Sequence, residues 1–393
     1  MLRRQLASFI AFLIAFCQAS ACWAEVGVTA KEIQIGASHV LTGQNAIAGH
    51  ETDVGIDCCI NDVNAKGGVF GRKIRVVNCD DKYEPDSAIT CFQYLMQQGV
   101  FALTGIYGSG TSARYIPMAM NNKVPVVGFH NGTYFVTNPV KKYVFSARCS
   151  YRDEIRETVN HLWTAGLRKF AIIYQNDAFG ADCYEGLKLA LDAHNTKPVA
   201  AASYTRNKTD VKDAVNEIKQ ANPQVVLLGA VYKPSAEIVK ISKEMNWNPQ
   251  FVLNTGSSVT LFVPEAGAAA DGQIYSECVP LPNEANLPLV GEFLKALKKY
   301  YPGEKPTYEK LRAYLGTVVL AEGMKRAGKD LTRENFVKAM EGIHNFDVGL
   351  GADMLLNYSA TDHMGFHKVF FGIIKNGQAV PFDSWDKVAA EHR

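Results

Sequence analysis

The chain has 393 residues, 41 Lys plus Arg against 39 Asp plus Glu, and a 47% apolar share. A near-neutral balance without a basic block argues against nucleic acid or an anionic membrane as partner. The length exceeds the usual single-core limit, so two domains are expected, with apolar residues enough for both cores.

Taken in chain order, the first element is a leader. Arg3 and Arg4 precede an apolar run from Leu6 to Phe16. That run is about eleven residues, short of the roughly twenty a membrane helix needs. Ala19-Ser20-Ala21 and Ala24 follow as small-residue cleavage sites. Residues 1–24 therefore read as a secretory signal peptide, and the mature chain as periplasmic. Cleavage after Ala21 would leave Cys22 first, but Ala19 stands where a lipid-attachment motif wants Leu. A lipid anchor at Cys22 is the weaker reading. Loss of Arg3 and Arg4 with the leader makes basic and acidic residues equal in number.

Strands and helices then alternate. Lys31–Ala37 reads as a strand, His50–Ala65 as a helix stopped by Lys66-Gly67-Gly68, and Lys73–Cys79 as a strand. Pro85–Gln98 is a helix with Pro in its first turn. Val100–Gly105 is a buried strand, Gly108-Ser109-Gly110 opens a helix to Asn122, and Val124–Gly128 is the next strand. The pattern restarts with a helix at Arg152–Gly166. Strands at Phe170–Tyr174, Val199–Tyr204, Val225–Gly229 and Phe251–Asn254 follow, separated by helices at Gly180–His194, Val211–Gln220 and Pro234–Met245. Such alternation predicts parallel sheets covered by helices. After Tyr275 helices dominate, at Leu287–Tyr300, Tyr308–Ala327 and Arg333–Glu341, with short strands at Met354–Asn357 and Lys368–Ile374. The fold class is α/β: two doubly wound, Rossmann-like lobes joined by several crossings. Lobe 1 is expected over 25–147 plus about 279–345, and lobe 2 over 148–278 plus about 346–393.

Seven cysteines follow Ala24: Cys58, Cys59, Cys79, Cys91, Cys149, Cys183 and Cys278. An exported chain can form disulfides, and a bridge among Cys58 or Cys59, Cys79 and Cys91 is expected because they lie on consecutive elements. The odd number leaves at least one thiol unpaired. No C-x-x-C occurs, so neither structural zinc nor thioredoxin-like redox chemistry is expected.

Several stretches resemble one family. They are Ile33-Gln34-Ile35-Gly36 with Leu41-Thr42-Gly43, the run from Ile60 to Ile74 that contains Asn64-Ala65-Lys66-Gly67-Gly68-Val69-Phe70-Gly71-Arg72, and Asp80-Asp81. Gly108-Ser109-Gly110-Thr111-Ser112 and Asn176-Asp177-Ala178-Phe179-Gly180 belong with them. The chain is similar to the type I periplasmic binding proteins of the leucine/isoleucine/valine-binding group, which feed ABC importers. The resemblance implies a monomer that captures a small organic ligand by cleft closure and delivers it to membrane permease subunits, with no cofactor and no metal.

Open α/β sheets bind ligands at the carboxyl ends of their strands. Helix N-termini there favour anions. Ser109, Gly110 and Thr111 sit at one such end, and Asn131, Gly132 and Thr133 at the next. Both sets match positions that hold the ligand in the family. The plainer alternative for each is a helix cap and a surface turn. From the other lobe, Phe179, Tyr232 and Tyr151 are aromatic candidates, each weighed against ordinary packing. Thr255 and Gly256 stand where the leucine-binding members place a Glu against the ligand's ammonium. That departure points away from an α-amino acid toward another small carboxylate, aromatic acids included, or an amide. The counter-reading supplies the acid from Glu237 or Glu277.

Enzyme readings fare worse. Tyr107 occupies the first position of what would be a G-x-S-x-G around Ser109. No dinucleotide or Walker motif is present. Asp362-His363 with His367 reads as surface or structural residues rather than a metal site. Asp80-Asp81 reads as a turn or cap. The leading expectation is therefore a transport receptor without catalysis. A receptor subunit signalling to a membrane kinase is the alternative, and an exported hydrolase the remote one.

Overall fold

The structure, a computed structural model, describes residues 25–382 and 384–392. The signal peptide read over 1–24, Cys22 included, lies outside the described residues. The first sheet comprises β1 (Glu32–His39), β2 (Lys73–Asp80), β3 (Ala102–Thr104), β4 (Val126–Val127) and β5 (Val144–Phe145). All pairs are parallel, in the order β2-β1-β3-β4-β5. Helices α1 (Ala46–Ala65), α2 (Pro85–Gln97) and α3 (Ser109–Asn121) connect them. In β1, Ile33 and Ile35 are buried while Glu32 and Gln34 are half-buried, the period-2 pattern of a strand with one inward face. The chain leaves α1 through Gly67 and Gly68, both with positive φ. A Cβ on Gly68 would come within 2.0 Å of the Arg72 carbonyl oxygen, so this turn requires glycine. Cys79, late in β2, is bonded to Cys91 in α2, while Cys58, Cys59, Cys149, Cys183 and Cys278 are buried thiols.

The second sheet takes α4 (Tyr151–Thr164), β6 (Phe170–Gln175), α5 (Ala178–Asp192), β7 (Ala200–Tyr204), α6 (Lys212–Gln220), β8 (Val225–Gly229), α7 (Tyr232–Glu244), β9 (Gln250–Leu253), α8 (Val259–Ala266) and β10 (Ile274–Glu277). The tail adds α9 (Pro288–Tyr300), α10 (Tyr308–Ala327) and α11 (Arg333–Glu341). A hairpin of β11 (Phe346–Asp347) and β12 (Leu355–Leu356) follows, then β13 (Phe370–Lys375), β14 (Gln378–Pro381) and α12 (Trp385–His392). The strand order is β14-β13-β10-β9-β8-β6-β7. Strands β6 to β10 run parallel, and β13 and β14 close the edge antiparallel.

The two-lobed α/β architecture is the one expected from the alternation. The helices at 308–327 and 333–341 have the predicted bounds. Helix α8, strand β14 and helix α12 have no counterpart among the elements expected from the sequence. The tail divides later than 345. Residues 346–366 pack on the first lobe: Leu289 N–H donates to Gly349 O at 3.0 Å, and Phe145 meets the Tyr358 ring at 5.3 Å. Only from β13 onward does the tail join the second sheet. The reason is apolar cover, since Leu350, Met354, Leu356 and Tyr358 are buried there.

The chain crosses between lobes at 146–150, 278–287 and 364–370, and these crossings adjoin. Ser146 N–H donates to His363 O at 2.9 Å, Gly365 N–H donates to Ser146 O at 2.8 Å, and the Cys149 and Cys278 thiols are hydrogen-bonded. No helix among the described residues is long and apolar enough to cross a membrane.

Candidate binding site between the lobes

Both sheets turn the carboxyl ends of their strands toward one cleft. The space left free in it is small, about 20 Å³. Lobe 1 contributes Tyr83, Tyr107, Gly108, Ser109 and His130, and lobe 2 contributes Tyr151, Phe179, Val231, Thr255, Gly256 and Ser258. Ala48 of α1 and Glu309 and Arg312 of α10 complete the wall.

Local capping aims these side chains. Asp177 caps α5 by accepting from Phe179 N–H at 2.9 Å and Gly180 N–H at 3.3 Å, which fixes the start of the helix that carries Phe179. Gly256 lies flat against that ring, and a Cβ there would come within 2.4 Å of Phe179 Cζ. Ser150 and Asp153 form a capping box at the start of α4, which sets Tyr151. Tyr151 N–H donates to Gly132 O at 2.7 Å, and its ring meets Phe179 at 5.0 Å. Tyr83 and Tyr107 form an edge-to-face pair at 5.5 Å on the other side.

Of the sequence candidates, Ser109, Tyr151, Phe179, Thr255 and Gly256 line the cleft. The others stand behind it. Thr133 is hydrogen-bonded to the Ser109 hydroxyl. Thr111 donates back to the Tyr107 and Gly108 carbonyls. Asn131 donates to Ser112 Oγ at 2.8 Å and Gly108 O at 3.3 Å. Gly110 faces Arg206, and Gly132 faces Arg148. Tyr232 reaches across the mouth, its hydroxyl donating to Gln44 O at 2.9 Å. Gln175 likewise donates to the Tyr83 hydroxyl at 2.9 Å, and Glu84 takes Arg206 and Asn207. The lobes thus meet across the cleft.

The acid expected to be absent is supplied from elsewhere. Thr255 is held by Glu154, which accepts from its N–H at 2.9 Å and its hydroxyl at 2.6 Å. Glu277 has both oxygens on Arg312 Nη1, at 2.7 and 2.5 Å. Glu237 does not line the cleft. Glu309, in the first turn of α10, does. Thr307 caps that turn by accepting from Lys310 N–H. Tyr83, Tyr107, His130, Ser258, Glu309 and Arg312 are polar lining residues that sequence reasoning missed. The run Tyr308-Glu309-Lys310-Leu311-Arg312 gives no local signal of this, because Glu309 and Arg312 at i, i+3 spacing read as an ordinary exposed ion pair.

Electrostatics follow from burial. His130 is held well below its usual range by burial, with Arg312 and Arg148 adding to the effect, so the imidazole is neutral. Burial pushes Glu277 up to about 8, although Arg312 works the other way. Its ordinary value is 4.5, so the folded state holds the proton more tightly than the unfolded chain. The resulting stabilisation is complete below 4.5 and is lost as pH rises through about 8. We expect the melting temperature to fall between about pH 5 and 8.5, and Glu277→Gln to flatten that fall. A variant with the wild-type slope would clear Glu277 of that role.

Elsewhere, Asp80 and Asp81 act as turn caps, Asp80 accepting from Leu41 and Lys82 N–H and Asp81 from Tyr83 N–H. His363 is buried and stacked on Phe145 at 3.9 Å, whereas His367 is exposed beside Asp362. No cluster of metal-ligating side chains occurs among the described residues.

Residues 32–379 match the family model described as periplasmic binding protein. The Leu/Ile/Val-binding protein homolog 2 of Brucella abortus (strain 2308) is 25% identical over 308 residues, 77% of this chain and 81% of that one. A solved structure described as a possible leucine/isoleucine/valine-binding protein from Rhodopirellula baltica SH 1 superposes with a TM-score of 0.87 at 25% identity. That match covers 91% of this chain and 98% of the other. A branched chain amino acid ABC transporter structure from Thermus thermophilus with bound valine shares the fold, with a TM-score of 0.81 at 18% identity over 90% of this chain and 96% of that one.

Proposed function

Because the chain belongs to the periplasmic binding protein family, whose members bind solutes and are not enzymes, we propose that it is the extracytoplasmic substrate-binding component of an ABC importer. It captures a small organic ligand bearing a carboxylate and presents the closed form to membrane permease subunits. It reaches its compartment through the leader at 1–24. The relative in Brucella abortus is named for leucine, isoleucine and valine, which makes amino acids one ligand class to test.

One observation carries this reading: a buried cleft lined from both lobes, whose rims touch through Tyr232 and Gln44, Gln175 and Tyr83, and Arg206 and Glu84. Hinge closure around a ligand is what such a cleft does mechanically. The first turn of α3, opening at Ser109 after Gly108, offers N–H groups that no side chain caps, which suits an anionic end.

A thermal-shift screen against amino acids, amides, and aliphatic and aromatic carboxylates tests this. A ligand at about a hundred times its Kd adds roughly 2.7 kcal/mol of stability. Ser109→Ala should weaken binding by about 1–3 kcal/mol if its hydroxyl meets a charged oxygen. Absence of any shift, together with turnover of a chromogenic substrate, would count against a binding protein. Unchanged affinity in the Ser109 variant would remove that residue from the site.

A further inference from the structure

Two thiols meet where the chain passes between the lobes. Cys149 lies on the first crossing and Cys278 opens the second, and both are buried. Their sulfurs are hydrogen-bonded to each other. The contact is braced on both flanks by one carboxylate. Arg148, beside Cys149, donates from Nη2 to Glu154 Oε1 at 2.8 Å. Ser276, at the end of β10, donates its hydroxyl to Glu154 Oε2 at 2.7 Å. Glu154 is fully buried, so it holds the two crossings in register from inside the fold.

The other thiols are placed differently. Cys183 accepts from Asn254 Nδ2 at 3.2 Å within the second lobe. Cys58 and Cys59 are consecutive in α1, so their side chains leave the helix about 100° apart. Among the described thiols, Cys149 and Cys278 are therefore the pair that tertiary contact, and no local spacing, brings together. Sulfurs already in contact need only a short approach to reach the bonding distance of about 2.05 Å.

We propose that Cys149 and Cys278 form a second disulfide, which joins the first two crossings and stabilises the second lobe. The proposal rests on the reading of an extracytoplasmic chain, because disulfides persist in an oxidising compartment. The oxidant is a disulfide carried by a thiol oxidoreductase. During folding, before the crossings are buried, one of the two thiols attacks the carrier's disulfide as thiolate and forms a mixed disulfide. The second thiol then displaces the carrier from it. One protein S–S bond forms and the carrier's S–S bond breaks. Two electrons and both thiol protons pass to the carrier, which leaves as a dithiol.

The position of the bond gives it its effect. The chain between the two residues runs from α4 to β10 and contains all five parallel strands of the second sheet. Cys79 and Cys91 are only 12 residues apart. A longer closed loop removes more conformational freedom from the unfolded chain, so the second bond stabilises more than the first.

The test uses the full chain with its leader, exported from a bacterial host. Free thiols are blocked with iodoacetamide in denaturant, and the non-reduced digest is read by mass spectrometry. The expected result is one linked peptide pair holding Cys79 and Cys91 and another holding Cys149 and Cys278, with Cys58, Cys59 and Cys183 alkylated. Alkylated Cys149 and Cys278 beside a bonded Cys79–Cys91 overturn the proposal and leave the extracytoplasmic reading standing. A bond from either residue to Cys183 does the same. Alkylation of all seven thiols overturns both. The double variant Cys149→Ala, Cys278→Ala should melt about 5 °C below the wild type without reductant. Equal melting temperatures would overturn the stabilising role.

Discussion

Arg312→Met is expected to lower stability by about 3–5 kcal/mol, measured by urea unfolding near neutral pH. The substitution keeps most of the side-chain volume and removes the charge. Glu277 and Glu309, both 1% exposed, would lose the guanidinium that now pairs with each of them. Glu309 would become a buried carboxylate without its cation, and Glu277 would lose the Nη1 that both its oxygens meet. A loss below about 1 kcal/mol would mean that water already solvates this cluster and that the guanidinium is not what holds it.

Gly55→Val is the second large effect, and it acts on the site from outside it. Helix α10 is seated by two close approaches. A Cβ on Gly55 of α1 would come within 2.3 Å of Lys310 O and 2.7 Å of Ala313 Cβ. A Cβ on Gly316 would come within 2.8 Å of Gly128 Cα. Valine at 55 must push α10 away at Lys310, between Glu309 and Arg312. Overpacking of this kind costs about 1–3 kcal/mol, and more where backbone must move. We expect a lower melting temperature together with weaker ligand binding, since the same displacement moves Glu309 and Arg312. A variant with wild-type melting temperature and affinity would show that α10 is not seated through this contact.

Helix α10 also marks where sequence reasoning stopped. Its bounds were legible because Thr307 caps it and apolar residues recur along it. Its role was not. Glu309, Lys310 and Arg312 look like a solvated helical face, yet all three are buried. Lys310 is neutralised by Glu51 at 2.7 Å and Glu304 at 3.0 Å, and Arg312 by Glu277 and Glu309. Glu51 and Glu277 lie far away along the chain, so no local pattern announces that these charges have partners. Strand ends, by contrast, are local features. Ser109 and Phe179 each follow a readable strand and glycine-bearing turn, and both line the cleft. Thr111 and Asn131 were drawn from the same turns, but their side chains satisfy backbone carbonyls instead of facing the cleft. Which way a turn residue points depends on its hydrogen-bond partners, and those are set by the fold.

The cysteines divide the same way. Closeness of elements narrowed the bridge to a few candidates, and the register of β2 with α2 selected Cys79 with Cys91.

The sequence by itself determined the export leader as an expectation, the two-lobed α/β architecture, the family and the strand ends that face the cleft. These rest on periodicity, glycine turns and short motifs, all readable within a few tens of residues. The tertiary structure alone decided the charge of the cleft. It moved the acid from the strand end at Thr255 to Glu309 on α10, where Arg312 pairs with it. The physical reason is that a buried charge is defined by its partners, and here Arg312 and Glu309 draw theirs from His130, Glu277 and Ser258, which lie on separate elements.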